Sequence, residues 1–334
     1  MTTAGSAMQG RRLRRQGGFS LIELMIAMML GLLVVGAAIG IFLSNRRAYQ
    51  ATEGVGRVQE GVRTAFELMS RDVREAAGNP CVNNLPIANV LNNPAASWWS
   101  NLTVWGDAFR GFVADEDMTD LTIGGDAGQR VAGTQAVQLF TADDNVATIS
   151  AHDTGTYKFT LNTTTSGIAT GDIVMACNAR QASIFQVSAA SGDEVFHGTS
   201  GTPGNCATGL GIPMECGTGT TFAYTAPNSV LVRVHATRWY IGNGTNGPAL
   251  YQQVATGNGT VTTQEVADGV TNLSVLYLVS GQTAYQAADA VADWSTVTSA
   301  RITLSLAGTD KVGANDEVIE RQLIHVVSLR NRNP

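Results

Sequence analysis

The chain has 334 residues, a charged fraction of 14% and a formal net charge of −6. That length holds one large domain or two modest ones, and it can bury a sizeable core without depending on disulfides. Arg11, Arg12, Arg14 and Arg15 all precede residue 18 with no acid among them, so the rest is more acidic still, which argues against a nucleic-acid partner.

The first predicted element runs from Phe19 to Leu43, where Glu23 is the only ionisable side chain. Roughly 20 apolar residues suffice to cross a bilayer as a helix. The arginines ahead of the run fit the bias that keeps a basic N-terminus in the cytoplasm. An uncleaved signal-anchor is one reading. A cleaved secretory signal is another, with small residues at Gly36 and Ala38 and a mature start near Ile39, although such signals use only about 7–15 apolar residues. A twin-arginine signal fits less well, because Gln-Gly-Gly follows the arginines. None of these explains Glu23, since a carboxylate in the apolar layer costs about 2.5–3.5 kcal/mol at a helix centre and less near an end.

The stretch "GGFSLIELMIAMMLGLLV" resembles the class III signal of type IV pilins and of the related type II secretion pseudopilins. The resemblance implies that a prepilin peptidase cuts between Gly18 and Phe19 and methylates the freed Phe19 amine. Gly18 would be needed because a larger side chain would obstruct the approach of the protease. It also implies a partner for Glu23, the cationic N-terminus of a neighbouring subunit, each charge offsetting the burial of the other. Gly36 and Gly40 form a GxxxG, but in so Gly- and Ala-rich a run it specifies no dimer.

Beyond Leu43 the sequence turns polar without losing helical spacing. Val55, Val58, Val62, Phe66, Met69 and Val73 recur every three or four residues, and charged side chains fill the other faces. This predicts one helix of about 60 residues, roughly 90 Å long, weakened at Gly54 and Gly56. Two helices separated by a loop at Ser44–Gly56 are the alternative. Gly78 is the expected C-terminal cap, and Pro80 prevents continuation.

Residues 81–135 read as an irregular excursion, with Trp98, Trp99, Trp105 and the acidic run "ADEDMTD". Strand signals then recur in "AVQLFTA", "YKFTL", "DIVMACN", "ASIFQVSA", "VLVRVHATRWYIG", "ALYQQVA", "TNLSVLYLV", "ARITLSLAG" and "RQLIHVVSLRN". "GNGTNGP" predicts a hairpin turn. The expected fold class is α+β and pilin-like: a long N-terminal helix, half transmembrane and half amphipathic, on a mainly antiparallel sheet with loop insertions.

Cys81, Cys177, Cys206 and Cys216 form no CxxC pair, and an even count in an exported body reads as two disulfides. Of three connectivities, Cys206–Cys216 as a local loop and Cys81–Cys177 from helix end to sheet is the expected one. The other two stay open.

His152, His197, His235 and His325 lie far apart in sequence and in unlike contexts, and His235 and His325 are read as strand residues. Catalytic and nucleotide motifs such as GxSxG, HExxH and a P-loop do not occur. The acids of Ala114–Asp120 and Ala142–Asn145 are read as solvated loop acids before calcium ligands. The three tryptophans are read as core before an exposed patch. No enzyme activity, metal or cofactor is expected.

Several stretches narrow the resemblance to PilW-type minor pilins: "LMSRDVREAAGNPC", "DIVMACNARQASIFQVS", "EVADGVTNLSVLYLV", "ADWSTVTSARITLSL" and "RQLIHVVSLRNR". Residues 82–135 and 198–225 resemble nothing in that group. The resemblance implies a leader at 1–18, a membrane and assembly helix at 19–43, an amphipathic helix at 44–79 and a globular domain at 80–334. It implies an assembly protein of the type IV pilus that primes the fibre and ends at its tip. Its partners would be other minor and major pilins, the prepilin peptidase and the inner-membrane assembly platform. The chain would sit in the inner membrane with its body in the periplasm, then at the cell surface. The alternatives are a type II secretion minor pseudopilin and a pilus-associated adhesin that uses the two unmatched stretches.

Overall fold

The computed structural model describes residues 18–82, 85–307 and 320–332. Helix α1 runs from Leu21 to Glu75 without interruption, so the two-helix alternative does not hold. By its internal contacts the chain divides into two units between Glu53 and Gly54.

In the first unit, the helical stretch Leu21–Arg46 has a mean hydropathy of 2.7 over its most apolar window. Its large apolar side chains are exposed throughout, from Leu21 to Leu43. A helix apolar on every face has no solvated side and calls for a nonaqueous or protein surround.

The second unit carries the strands. In chain order they are β1 (Ile87–Asn89), β2 (Phe109–Phe112), β3 (Ala136–Ala142), β4 (Ala147–Asp153), β5 (Lys158–Leu161), β6 (Ile173–Cys177), β7 (Ala182–Gln186) and β8 (Ala189–Ser191). There follow β9 (Glu194–Phe196), β10 (Val230–Gly244), β11 (Gly247–Ala255), β12 (Val261–Asp268), β13 (Val270–Val279), β14 (Val297–Ala307) and β15 (Glu320–Ser328). Except for β1 against β7, every pairing between these strands is antiparallel.

Strand β10 organises the larger sheet. Its first residues pair with β4 and β6, and its later ones with β3 and β11. The β10–β11 hairpin closes at Gly244 and Gly247, where the composition predicts it. Strands β1, β2, β4, β8, β9 and β12 are not among those the sequence predicts. Residues Val261 to Glu265 of β12 are exposed on both faces, so no apolar alternation marks it; its pairing with β11 does. A separate sheet has the order β13-β14-β15.

The last third of α1 supplies one wall of the main core. Val62, Ala65, Phe66, Met69 and Val73 are buried with Val137 and Leu139 of β3, Trp239 and Ile241 of β10, and Leu273, Val275, Ile302 and Leu304 of the second sheet. Burying each large apolar side chain contributes about 1.5–3 kcal/mol. Four of the six predicted face residues lie there; the side chains of Val55 and Val58 fall outside the described residues.

The helix end differs from expectation. Ala77, not Gly78, takes the left-handed conformation, with φ at 59°. Its place is set by tertiary bonds: Ala77 N–H donates to Phe140 O at 2.9 Å, and Ala77 O accepts from Trp105 Nε1 at 2.7 Å. Gly78 is there for room, since a Cβ would lie 2.9 Å from both Glu75 O and Asn331 Nδ2. Asn331 Nδ2 donates to Glu75 O at 3.1 Å and Thr141 Oγ1 donates to the same oxygen at 3.2 Å, so distant segments satisfy the last carbonyls.

Candidate functional site

At the start of α1 the sequence Ser20-Leu-Ile-Glu23 folds as a capping box. Glu23 N–H donates to Ser20 Oγ at 3.2 Å, and Ser20 N–H donates to Glu23 Oε2 at 3.4 Å. The second distance is long for a hydrogen bond, so this contact is weak. The carboxylate therefore stays available, in the first turn of a helix whose other exposed side chains there are Phe19, Leu21, Ile22 and Leu24. A carboxylate in that setting can pair with a cation or accept a hydrogen bond from another chain. Space for a Cβ is open at Gly18, Gly36 and Gly40, so the chain's own packing does not require glycine at these positions.

Both disulfides join residues of the second unit. Cys81, six residues past the end of α1, is bonded to Cys177 at the end of β6, and Cys206 to Cys216. The first closes a loop of sequence separation 96 and the second one of separation 10.

Asp72, on the charged side of the helix by sequence, is turned onto the larger sheet. It accepts from Trp239 Nε1 at 2.9 Å and from Gln252 Nε2 at 2.8 Å. Burial raises its carboxyl above the usual range, and these two bonds oppose the rise.

The excursion, over residues 85 to 135, is folded around two fully buried arginines that sequence reasoning did not single out. Arg130 Nη1 donates to Glu116 O at 2.8 Å, and its Nη2 donates to Val113 O at 2.9 Å and to Thr134 O. Arg238 donates to Gln253 Oε1 at 2.6 Å, Thr119 O at 2.7 Å and Asp120 O at 3.0 Å, and lies 4.4 Å above the Trp98 ring. Burial lowers both guanidinium groups, Arg238 to about 10. Guanidinium groups thus tie together the backbone carbonyls of Val113, Glu116, Thr119, Asp120 and Thr134. The acids are engaged as well: Asp115 accepts from Gly133 N–H, Glu116 from Arg110 and Asp143 from Arg233. Among the described residues no cluster of three His, Cys, Asp or Glu could hold a metal. Trp98 and Trp105 are buried and Trp99 is half-buried, so they form no aromatic patch at the surface.

Two of the four histidines, far apart in sequence, meet. His152 Nε2 lies 3.0 Å from His197 Nε2. No spacing rule links a residue in β4 with one after β9, so the pair was invisible in sequence. His235 lies in β10 and is lowered by burial; His325, in β15, rests its ring 4.9 Å from Phe66.

Residues 238–328 match the family model described as type IV pilus-assembly protein W. Residues 13–39 match the prokaryotic N-terminal methylation motif, which covers Gly18, Phe19 and Glu23. No curated protein and no solved structure is matched by this chain.

Proposed function

We propose that this chain, a PilW-family prepilin-like protein by its two family matches, is a membrane-anchored minor pilin that acts in assembly. A prepilin peptidase removes residues 1–18 and methylates the Phe19 amine. The apolar helix holds the chain in the inner membrane, with residues 80–334 as a periplasmic globular domain. It then joins other minor and major pilins at the assembly platform, primes the fibre and is carried to its tip. Its role is structural rather than enzymatic.

The observation that carries this reading is the exposed, all-apolar helix with one available carboxylate in its first turn. In a shared helix core Glu23 accepts the methylated amine of the neighbouring subunit. Two charges that are each costly to bury then offset one another. Open space at Gly18 supports an external reason for glycine there, namely the protease. The two disulfides fit an oxidising compartment.

Mass spectrometry of the native N-terminus tests the processing step. It should begin at N-methylated Phe19; a retained arginine-rich leader, or a start near Ile39, overturns the reading. Glu23→Ala should remain in the membrane and fail to enter sheared pilus fractions. Normal surface piliation in that variant removes the assembly role of Glu23, and recovery of the chain in a secretion complex instead favours the pseudopilin alternative.

A further inference from the structure

His152 Nδ1 accepts from the Tyr224 backbone N–H at 3.1 Å, so the proton of this neutral imidazole sits on Nε2. Its Nε2–H faces His197 Nε2 at 3.0 Å, which must accept. His197 then carries its own proton on Nδ1, buried without a well-formed hydrogen bond. Both tautomers are therefore fixed by the fold. A proton added to His152 lands opposite the Tyr224 N–H, and one added to His197 Nε2 lands opposite the His152 N–H. Either addition breaks a bond. A metal ion between the rings meets the same conflict, because it would drive the His152 proton onto Nδ1.

We propose that the His152–His197 pair is an acid-sensitive latch, which holds the returning end of the excursion 198–225, at Tyr224, onto β4 and releases that end when protonated, while Cys206 N–H to Val90 O and the Asn205–Gln186 bonds keep its middle in place. The pair lies where three segments meet. His152 is in β4, His197 follows β9, and Tyr224 ends the excursion that contains the Cys206–Cys216 loop. Phe159 and Phe185 pack against the rings without offering charge. The titratable groups around the pair are Asp153 on β4, Tyr157 in the next turn, Lys158 of β5 paired with Glu194 of β9 at 2.6 Å, Asp193 before β9, and Tyr224, whose hydroxyl meets Ser183 Oγ at 2.5 Å. Of these, Asp153 favours charge on His152.

Desolvation dominates and lowers His152 to about 4. It lowers His197 to about 3, the neighbouring His152 adding to it and backbone groups of His197 and Thr208 opposing. An opened latch binds protons below the ordinary histidine value of about 6.5. The closed latch stays neutral until it approaches the depressed values. The open fraction therefore rises as pH falls between these limits, about tenfold per pH unit for each histidine released and about a hundredfold for both.

The test does not depend on the pilin reading. Amide hydrogen exchange is followed in the detergent-solubilised full chain between pH 7 and 4.5, corrected for intrinsic rates. The opening constant at Tyr224 should rise by about 10–100-fold per pH unit below pH ~6, ahead of amides in β14. The double variant His152→Asn, His197→Gln should flatten that slope. A pH-independent wild-type opening constant overturns the latch. If the variant does not fold, imidazole NMR of the wild type decides: both rings must stay neutral at pH ~5.5, and either one titrating near 6.5 with Tyr224 still protected overturns the proposal.

Discussion

Two stretches of α1, Leu21–Arg46 and Val62–Val73, are both rich in apolar residues yet differ in how they are stabilised. In the first, every large apolar side chain from Leu21 to Leu43 is exposed within the chain. In the second, Val62, Met69 and Val73 are fully buried among strands of both sheets. Pattern marks the difference. The first stretch is apolar on all faces and needs a surround supplied from outside, whereas the second carries a stripe that the chain's own strands cover. Stability of the body should therefore be decided in the second stretch and, on the proposed function, membrane retention and assembly in the first.

Substitutions in the two stretches break or sharpen this contrast. Met69→Ala should cost about 2–5 kcal/mol in chemical denaturation of the detergent-solubilised protein. Met29→Ala, at a side chain 71% exposed, should leave the same transition within about 0.5 kcal/mol. Equal losses at both positions would mean that the halves are not energetically distinct.

Gly78→Ala probes the end of the second stretch. Its Cβ would press on the Glu75 carbonyl oxygen, a backbone atom without freedom to swing aside. A loss of about 1–3 kcal/mol is expected, read as a lower melting temperature. No loss would show that the helix end and the segment carrying Asn331 separate easily.

Asp72 allows a finer distinction. Asp72→Ala leaves Trp239 Nε1 and Gln252 Nε2 without their acceptor, at a cost of about 1–3 kcal/mol. Asp72→Asn keeps an acceptor without charge and should match or exceed the wild type at pH 7. The sign follows from the raised carboxyl: its contribution is most favourable below the unfolded carboxylate value and is lost as pH rises through the folded one. The advantage of Asp72→Asn over the wild type should accordingly shrink as the pH is lowered towards 4. An advantage that grows on acidification would refute the desolvation account.

The smallest effect is expected at Ala77→Gly. Relief of a left-handed alanine should stabilise by about 1 kcal/mol or less, part of the gain being returned as unfolded-chain entropy. Clear destabilisation would mean that the Ala77 methyl, packed with the second core cluster, matters more than its backbone angle.

Legibility followed the kind of force involved. The apolar run, the helical stripe, the β10–β11 hairpin and the alternating strands β13 and β14 all arise from local patterns, which a sequence carries openly. The exchange of roles between Ala77 and Gly78 was not legible, because bonds from Phe140 and Trp105 fix the angle while Asn331 takes the space. Arg130 and Arg238 gave no signal, since most of their partners are backbone carbonyls that every residue possesses, and Gln253 and Trp98 come to Arg238 from other segments. The charge of Asp72 pointed to the solvated faces of the helix, whereas Trp239 and Gln252 draw it onto the sheet.

The sequence alone determined which stretch calls for an apolar surround, which acid lies within that stretch and which strands alternate. These follow from hydropathy and from the 3.6- and 2-residue periods of the backbone. Only the tertiary structure decided which polar groups meet across the body: an aspartate with a tryptophan, two arginines with loop carbonyls, and two histidines with one proton between them. Such meetings depend on strand order and register, through which long-range hydrogen bonds bring together residues that no local pattern connects.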